Sequence, residues 1–359
     1  MSVRPEGQQA ATGPPRPFRL RWTLVGIAAL CAALLAGLAI GETAIPAETV
    51  LKTLANKLGA ANYPLDPIDQ GILWDYRLPR ALVAAACGAA LALSGVVLQA
   101  LLRNALADPY ILGISAGAST GAVLVAIAGL GGGAVSLSGG AFGGALAAFA
   151  LVVILARLAG DGGSGQDGGG RGAAQIILAG IAGAQLFSAL TAFIITKSAN
   201  ADQARGIMFW LLGNLSGVRW PDVALAAPLA LLGLLVILFH ARALDAFTFG
   251  REAAAAVGVP VRAVQAVLIG VTALLTAIMV SMVGSIGFVG LVVPHAARFL
   301  VGPRHGALIP ASALIGAVFL VLADIGARVV IPGQVLPIGV VTALIGAPAF
   351  AVILVRGRR

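Results

Sequence analysis

The sequence has little charge and almost no cysteine. Of its 359 residues, only 10% are Asp, Glu, Lys or Arg, and two are cysteine. A soluble domain carries about 25% charged residues, so the low fraction excludes an ordinary soluble protein. Cys31 and Cys87 both lie within apolar runs, and we expect them to act as small packing residues and not as a disulfide.

Motifs for nucleotide binding and catalysis are also missing. The P-loop pattern G-x-x-x-x-G-K-[ST] occurs nowhere, although the segment GDGGSGQDGGGRG at 160–172 is rich in glycine. We predict that this segment is a flexible linker. No nucleophile, base or metal-ligand cluster converges in the sequence, so we expect neither an enzyme nor a metal site. The net charge of +9 comes from basic residues scattered between apolar runs, which does not indicate a nucleic-acid-binding face.

Long apolar runs dominate what is present. The chain is 59% hydrophobic, with a mean hydropathy of +1.00. A helix needs about 20 residues to cross the hydrocarbon core of a bilayer, and runs of this kind recur along the whole chain. The sequence therefore predicts an all-α, polytopic membrane protein of about ten spans. They are 22–40, 81–102, 110–130, 142–158, 175–196, 223–240, 264–283, 288–301, 307–323 and 336–355.

The distribution of basic residues predicts the orientation. Ten spans place both termini on the same side of the membrane. If that side is the cytoplasm, eight Lys and Arg residues lie on the outer side and 15 lie on the cytoplasmic side. We predict a disordered cytoplasmic tail at 1–21, a transmembrane domain at 22–355 and a basic cytoplasmic tail at 356–359 facing anionic lipid. Spans two to five and seven to ten then run in opposite senses, which suggests an inverted repeat.

Four stretches resemble one known family. The first, at 77–117, reads RLPRALVAAACGAALALSGVVLQALLRNALADPYILGISAG, two apolar runs around the polar break RNALADP. The others lie at 243–264, 284–317 and 322–350. Together they resemble the FecCD family, the permease subunits of ATP-binding-cassette (ABC) importers for iron–siderophores, haem and cobalamin. The family usually has proline where this chain has Ala105, a difference expected to loosen the hairpin tip.

The resemblance implies a fold, a function and partners. It implies the type II ABC importer permease fold, as a homodimer or paired with a close paralogue, in a bacterial inner membrane. Two separate ATPase subunits would bind ATP and Mg²⁺, with no cofactor in this chain, and a periplasmic binding protein would deliver the cargo. Ferric siderophore is the expected cargo because that class is the broadest in the family, with haem or cobalamin as the alternative. An ion-coupled secondary transporter is the rival, and it is disfavoured because the acidic residues fall in tails, connections or span ends.

The resemblance also assigns roles to residues. It implies that 243–264 is the segment coupled to the ATPase, and the sequence predicts one short helix there that ends at Gly258 and Pro260. It implies that Arg77 and Arg328 face outward to dock the binding protein. A gate of small residues is expected near Ala173 and Ala174. The matched coupling residues are Gly250, Arg251, Glu252, Ala253, Ala256, Val257 and Gly258.

Other polar residues have two open readings. Asp324 and Arg328 are spaced i, i+4 at the end of span nine, which favours an ion pair. His295 could be a metal or haem ligand. A structural hydrogen-bonding role is favoured, because the sequence around His295 resembles that of family members regardless of which cargo they carry. Six polar residues within the spans could line a pathway or bond between helices: Ser94, Gln99, Ser115, Gln185, Ser188 and Thr191.

Overall fold

The computed structural model describes residues 16–43, 45–161 and 170–356. Within these ranges the secondary structure is helical apart from one isolated β-bridge, Ile331 to Gln334. The α-helices are α1 (Arg16–Ala39), α2 (Ala47–Lys57), α3 (Pro67–Gly71), α4 (Leu78–Leu101), α5 (Ile114–Ala126), α6 (Leu137–Asp161), α7 (Gly170–Ser198), α8 (Ala201–Leu211), α9 (Trp220–Phe239), α10 (Ala241–Phe247), α11 (Arg251–Ala256), α12 (Val261–Val283), α13 (Val289–Val301), α14 (His305–Val329) and α15 (Ile338–Arg356).

Each of the ten predicted spans corresponds to one of these helices. They are α1, α4 to α7, α9 and α12 to α15. Seven described helices are long and apolar enough to cross a membrane, and three shorter apolar segments accompany them. This confirms the predicted all-α membrane fold. The short surface helices α2 and α3 fill the connection before α4, and a π-helical turn (Ile72–Arg77) leads into it.

The ends of the predicted domains need one correction. We predicted a disordered tail up to residue 21, but α1 begins at Arg16. Pro17 lies in its first turn, where a missing N–H removes no helical hydrogen bond. The rest of that tail (1–15), most of the predicted linker (162–169) and the last three residues (357–359) lie outside the described residues.

Helix α4 occupies the centre of the structure, and nearly all of its side chains are buried. Glycines let its backbone approach its neighbours closely. A Cβ on Gly88 would lie 2.1 Å from the carbonyl oxygen of Gly316 on α14, and one on Gly95 would lie 1.9 Å from that of Gly290 on α13. No side chain fits at either position, so these contacts fix the spacing of α4 against α13 and α14.

The two halves of the chain repeat one order of helices. In each half a long helix, α4 or α12, is followed by an irregular break and then by a helix of 13 residues, α5 or α13. Each short helix follows a residue with positive φ, Gly113 at 73° and Phe288 at 70°. This correspondence supports the predicted inverted repeat. The third span was predicted at 110–130, and α5 is shorter because a 3₁₀ turn (Pro109–Leu112) and Gly113 precede it.

Candidate functional site

The segment at 243–264 folds as α10 and α11 between two spans. Gly250, at φ 109°, precedes α11, and Gly258, at φ 84°, follows it. The Gly258 N–H donates to the carbonyl oxygen of Ala255 at 2.9 Å and so closes the last turn of α11. The predicted short helix that ends at Gly258 is confirmed, and its final glycine has a positive φ.

One side of α11 is anchored and the other is exposed. Ala254 is fully buried against the membrane domain, whereas Phe249 and Val257 are 79% and 72% exposed. Arg251 and Glu252 are exposed beside them. Exposed apolar side chains among charges of both signs are typical of a surface that binds another protein. The other matched residues Ala253, Ala256 and Gly258 are exposed as well.

The polar tip of the α4–α5 hairpin lies beside this segment. The Arg103 guanidinium group is 3.5 Å from the position that a Cβ on Gly250 would occupy. The Leu106 N–H donates to the Asn104 side-chain oxygen at 2.9 Å, which closes the turn. Ala105 is exposed on the outside of that turn. The tip is therefore shaped by Asn104 although the family's proline is absent.

Beyond the tip, the two irregular breaks of the two halves meet. The Asp108 carboxylate accepts the Tyr110 N–H at 2.9 Å, and burial raises the pKa of Asp108 to about 6. The Tyr110 hydroxyl donates to the Ile286 carbonyl oxygen at 2.8 Å and accepts the Ile286 N–H at 2.7 Å. Ser115, one of the pathway candidates, donates to the Ser285 hydroxyl at 2.9 Å. Hydrogen bonds thus join the break before α5 to the break before α13.

Gln99, another pathway candidate, ties the tip to α13. Its side-chain amide nitrogen is within hydrogen-bonding distance of the carbonyl oxygens of Gly290 at 3.2 Å, Leu291 at 3.3 Å and Ala107 at 3.4 Å. Gln99 is buried, so its amide serves packing between helices and not an open path.

The remaining pathway candidates divide into two groups. Ser94 accepts from the Thr276 hydroxyl at 3.4 Å, and Thr191 shares a 2.8 Å hydroxyl contact with Thr120, so both bond between helices. Gln185 and Ser188 are exposed on α7. The two predicted gate residues, Ala173 and Ala174, lie near the start of α7. The Ala174 side chain is exposed.

The structure does not present Arg77 as an outward-facing arginine. Its side chain is 4% exposed and donates to the carbonyl oxygens of Leu38 at 2.7 Å, of Ala39 at 3.1 Å and of Thr43. All three carbonyls lie at or just beyond the carboxyl end of α1, where a helix leaves carbonyls without partners. The expectation of surface exposure is corrected, because the end of α1 lies directly over this arginine.

Arg328 is buried for a related reason. Its Nε lies 3.1 Å from an Asp324 carboxylate oxygen, which confirms the predicted i, i+4 pair. The other Asp324 carboxylate oxygen accepts from Arg80 at 2.8 Å. Both arginines and Asp324 are less than 5% exposed, so Arg328 is not the surface cation that we expected. Arg80 was missed as a member of this cluster, although the second arginine of R-L-P-R was a visible signal.

The three histidines hydrogen-bond within the chain. The His295 ring Nδ1 lies 3.0 Å from the Leu291 carbonyl oxygen, and the His240 Nδ1 lies 2.8 Å from that of Val236. The His305 Nδ1 bonds to the Asp245 carboxylate at 2.7 Å. Among the residues described, no three His, Cys, Asp or Glu side chains are grouped to hold a metal ion.

Comparison with known proteins gives one consistent result. Residues 29–356 match the FecCD transport family. The cobalamin import system permease BtuC of Halobacterium salinarum is 41% identical over 290 residues, which cover 79% of this chain and 73% of the relative. The iron(3+)-hydroxamate import permease FhuB of Bacillus subtilis is 34% identical over 342 residues, which cover 94% and 83%.

A solved structure agrees with this result. It is described as an inward-facing conformation of a metal-chelate type ABC transporter, and it is 30% identical to this chain. The TM-score is 0.78, and the match covers 94% of this chain and 99% of the other.

Proposed function

Because this chain belongs to the FecCD transport family, we propose that it is the membrane-spanning permease subunit through which an ATP-driven importer takes up a ferric siderophore. Membership makes it an ABC importer permease for metal chelates. The iron cargo is supported by the match to the hydroxamate import permease, which extends over 94% of this chain.

The exposed face of α11 is the observation that carries the proposal. Phe249 and Val257 stand out from the membrane domain, and Gly250 and Gly258 fix the direction of the helix between them. A partner protein that binds this face moves α11 as a unit, together with the spans α9 and α12 on either side of it. The sequence has no P-loop, so ATP and Mg²⁺ bind to two separate ATPase subunits.

A second copy of the chain, or a close paralogue, completes the pathway. Helix α7 exposes Gln185 and Ser188 together with the apolar Leu186 and Leu190. A mixed polar and apolar face of this kind suits a path shared by two permease subunits on a common axis. Ala173 and Ala174 at the start of α7 would narrow that path by steric contact, without ligand chemistry.

The orientation follows from the basic residues. With both termini in the cytoplasm of a bacterium, the tip of the α4–α5 hairpin and α11 meet the ATPase at the inner membrane surface. The end that holds Arg80, Asp324 and Arg328 then faces outside. Because Arg77 and Arg328 are buried, an acidic binding protein would dock on exposed cations of that end, of which Arg219 is one.

Cobalamin is the second candidate cargo. The chain is 41% identical to a cobalamin import permease and 34% identical to the hydroxamate import permease, and the higher identity favours cobalamin. Haem is less supported, because the two relatives described above are import permeases for cobalamin and for iron(3+)-hydroxamate.

Reconstituted transport tests the proposal. The permease–ATPase complex would be placed in proteoliposomes and supplied with its binding protein, loaded with either radiolabelled ferric hydroxamate or cobalamin. We expect uptake of the ferric hydroxamate that requires ATP and is lost with a hydrolysis-deficient ATPase. Uptake of cobalamin alone would select the second cargo, and uptake that does not depend on ATP would contradict the importer itself.

A further inference from the structure

Helix α4 ends with an arginine in a backbone conformation that favours glycine. Arg103 has a φ of 48°, which lies in the left-handed region. The Arg103 N–H donates to the Ala100 carbonyl oxygen at 3.3 Å, and the Asn104 N–H donates to the Gln99 carbonyl oxygen at 3.2 Å. This pair of bonds is the Schellman motif that closes the carboxyl end of a helix, and the left-handed residue in it is usually glycine.

Two other helices of the chain end with the same pair of bonds and do have glycine there. The left-handed residue is Gly59 after α2, at φ 74°, and Gly258 after α11, at φ 84°. The chain contains 48 glycines, so this residue type is common in the sequence. An L-residue with a side chain is strained in the left-handed conformation, and Arg103 therefore makes the end of α4 less stable than glycine would.

No contact within the described part of the chain compensates for this strain. The Arg103 side chain is exposed, and among the residues that the structure describes its guanidinium group has no hydrogen-bond or ion-pair partner. The next carboxylate along the chain, Asp108, accepts the Tyr110 N–H instead. Backbone strain of this kind is concentrated at functional sites, so the reason for the arginine lies in a contact outside this chain.

The guanidinium group lies beside the segment that contains α11. The Arg103 Nη1 atom is 3.5 Å from the position that a Cβ on Gly250 would occupy, directly before α11. Phe249, on the other side of Gly250, is 79% exposed. A cation without a partner thus stands at the edge of the exposed face of α11, where a protein that covers this face can bring a carboxylate to it.

We propose that Arg103 binds a carboxylate group of the ATPase subunit that covers α11, and so forms a second contact beside the coupling helix. The inference rests on the proposed function, which places the ATPase on α11. The contact with the partner offsets the strain at the end of α4. Because Arg103 closes α4, this contact links the ATPase to the central helix of the bundle as well as to α9 and α12.

In Arg103→Gly, stability and ATPase affinity should change in opposite directions. Glycine relieves the left-handed strain, so the midpoint of thermal unfolding of the full-length permease in detergent should rise by about 2 °C. The probe for affinity is the ATPase subunit that copurifies with the wild-type permease. Loss of the cation should weaken its binding about fivefold in Kd.

Further variants isolate the charge from the backbone conformation. Arg103→Gln keeps a side chain and the strain but removes the charge, so it should also bind the ATPase about fivefold more weakly, whereas Arg103→Lys should bind it nearly as the wild type does. Raising the salt concentration from about 0.05 M to about 0.5 M should weaken binding more in the wild type than in Arg103→Gln. Arg157→Gln, at an exposed position on α6, is the control and should have normal affinity.

The outcomes that contradict the proposal can be told apart. Wild-type affinity in Arg103→Gly and Arg103→Gln, while the wild type itself binds the ATPase, would overturn the Arg103 contact alone. A fall in the stability of Arg103→Gly would also overturn it, because the side chain would then serve the fold of the permease. A wild-type permease that binds no ATPase would overturn both this inference and the proposed function.

Discussion

The guanidinium group of Arg328 on α14 donates two hydrogen bonds of 3.2 Å to the carbonyl oxygen of Gly37 on α1. Arg77 binds the carbonyl oxygens that follow, those of Leu38 and Ala39. The last carbonyls of a helix lack partners within it and carry a partial negative charge. Two buried arginines thus cap the carboxyl end of α1 and fix it to the rest of the bundle.

Replacement of Arg77 by methionine tests this cap. Methionine fills a similar volume without charge, so the carbonyls at the end of α1 lose their donors. Hydrogen bonds to a charged group contribute about 1.5–3 kcal/mol, and we expect a loss of stability of that order in thermal unfolding of the purified complex. Arg205→Met, at an exposed position on α8, is the control and should be neutral. Normal stability together with weaker binding-protein affinity would restore the docking role that the sequence implied.

Asp324→Asn should lower the stability of the protein more than Arg77→Met does. Asp324 balances two arginines, Arg80 and Arg328, and all three are buried. Leaving buried charges without a counter-ion costs about 3–5 kcal/mol, so we expect a large fall in the yield of monodisperse complex on size-exclusion chromatography. Asp202→Asn, at an exposed position on α8, should be unaffected. The double change Asp324→Leu with Arg80→Met removes one charge of each sign and should recover part of the loss; no recovery would argue against the charge balance.

The sequence predicted helices better than it predicted the directions of side chains. All ten spans were found because a run of apolar residues is a local property. The left-handed Gly258 was likewise visible from the glycine and proline that follow α11. The burial of Arg77 and Arg328 was not visible, because it depends on the carboxyl end of α1, which lies about 40 and 290 residues away in the chain. The polar residues Ser94 and Thr191 could be assigned to interhelical bonds only once their partners on other helices were known.

Asp108 predicts a dependence of stability on pH. Its pKa of about 6 lies above the ordinary value of 3.8, so the folded protein holds this proton more tightly than the unfolded chain does. The stabilisation is complete below about pH 4 and is lost as the pH rises through about 6, a change of about 3 kcal/mol. Asp108→Asn keeps the acceptor for the Tyr110 N–H but cannot ionise. Thermal unfolding at about pH 4.5 and about pH 7.5 should show a smaller difference in the variant, and equal differences would place Asp108 in a more hydrated site.

His295 is predicted to be structural. His295→Ala removes the hydrogen bond to the Leu291 carbonyl and should cost on the order of 1 kcal/mol. His240→Ala removes a bond of the same i, i−4 type and is the matched control. Uptake per intact complex should change little in both variants. Loss of uptake in His295→Ala alone, with normal assembly and ATPase activity, would indicate direct ligation of the cargo and favour haem.

The coupling role of α11 is the central claim, and Gly258→Val tests it most directly. Gly258 has a φ of 84°, which a β-branched residue resists, yet a Cβ there would meet no atom within 4 Å. The change therefore disturbs the end of α11 without a clash. Gly59→Val is the matched control, because Gly59 follows α2, has a φ of 74° and would likewise place its Cβ with no atom within 4 Å. The measurement is ATP-dependent cargo uptake in proteoliposomes, together with the amount of ATPase that copurifies. We expect Gly258→Val to lose uptake, through a detached or uncoupled ATPase, while it still binds the loaded carrier. Normal uptake with a normal amount of ATPase would show that α11 only connects two spans.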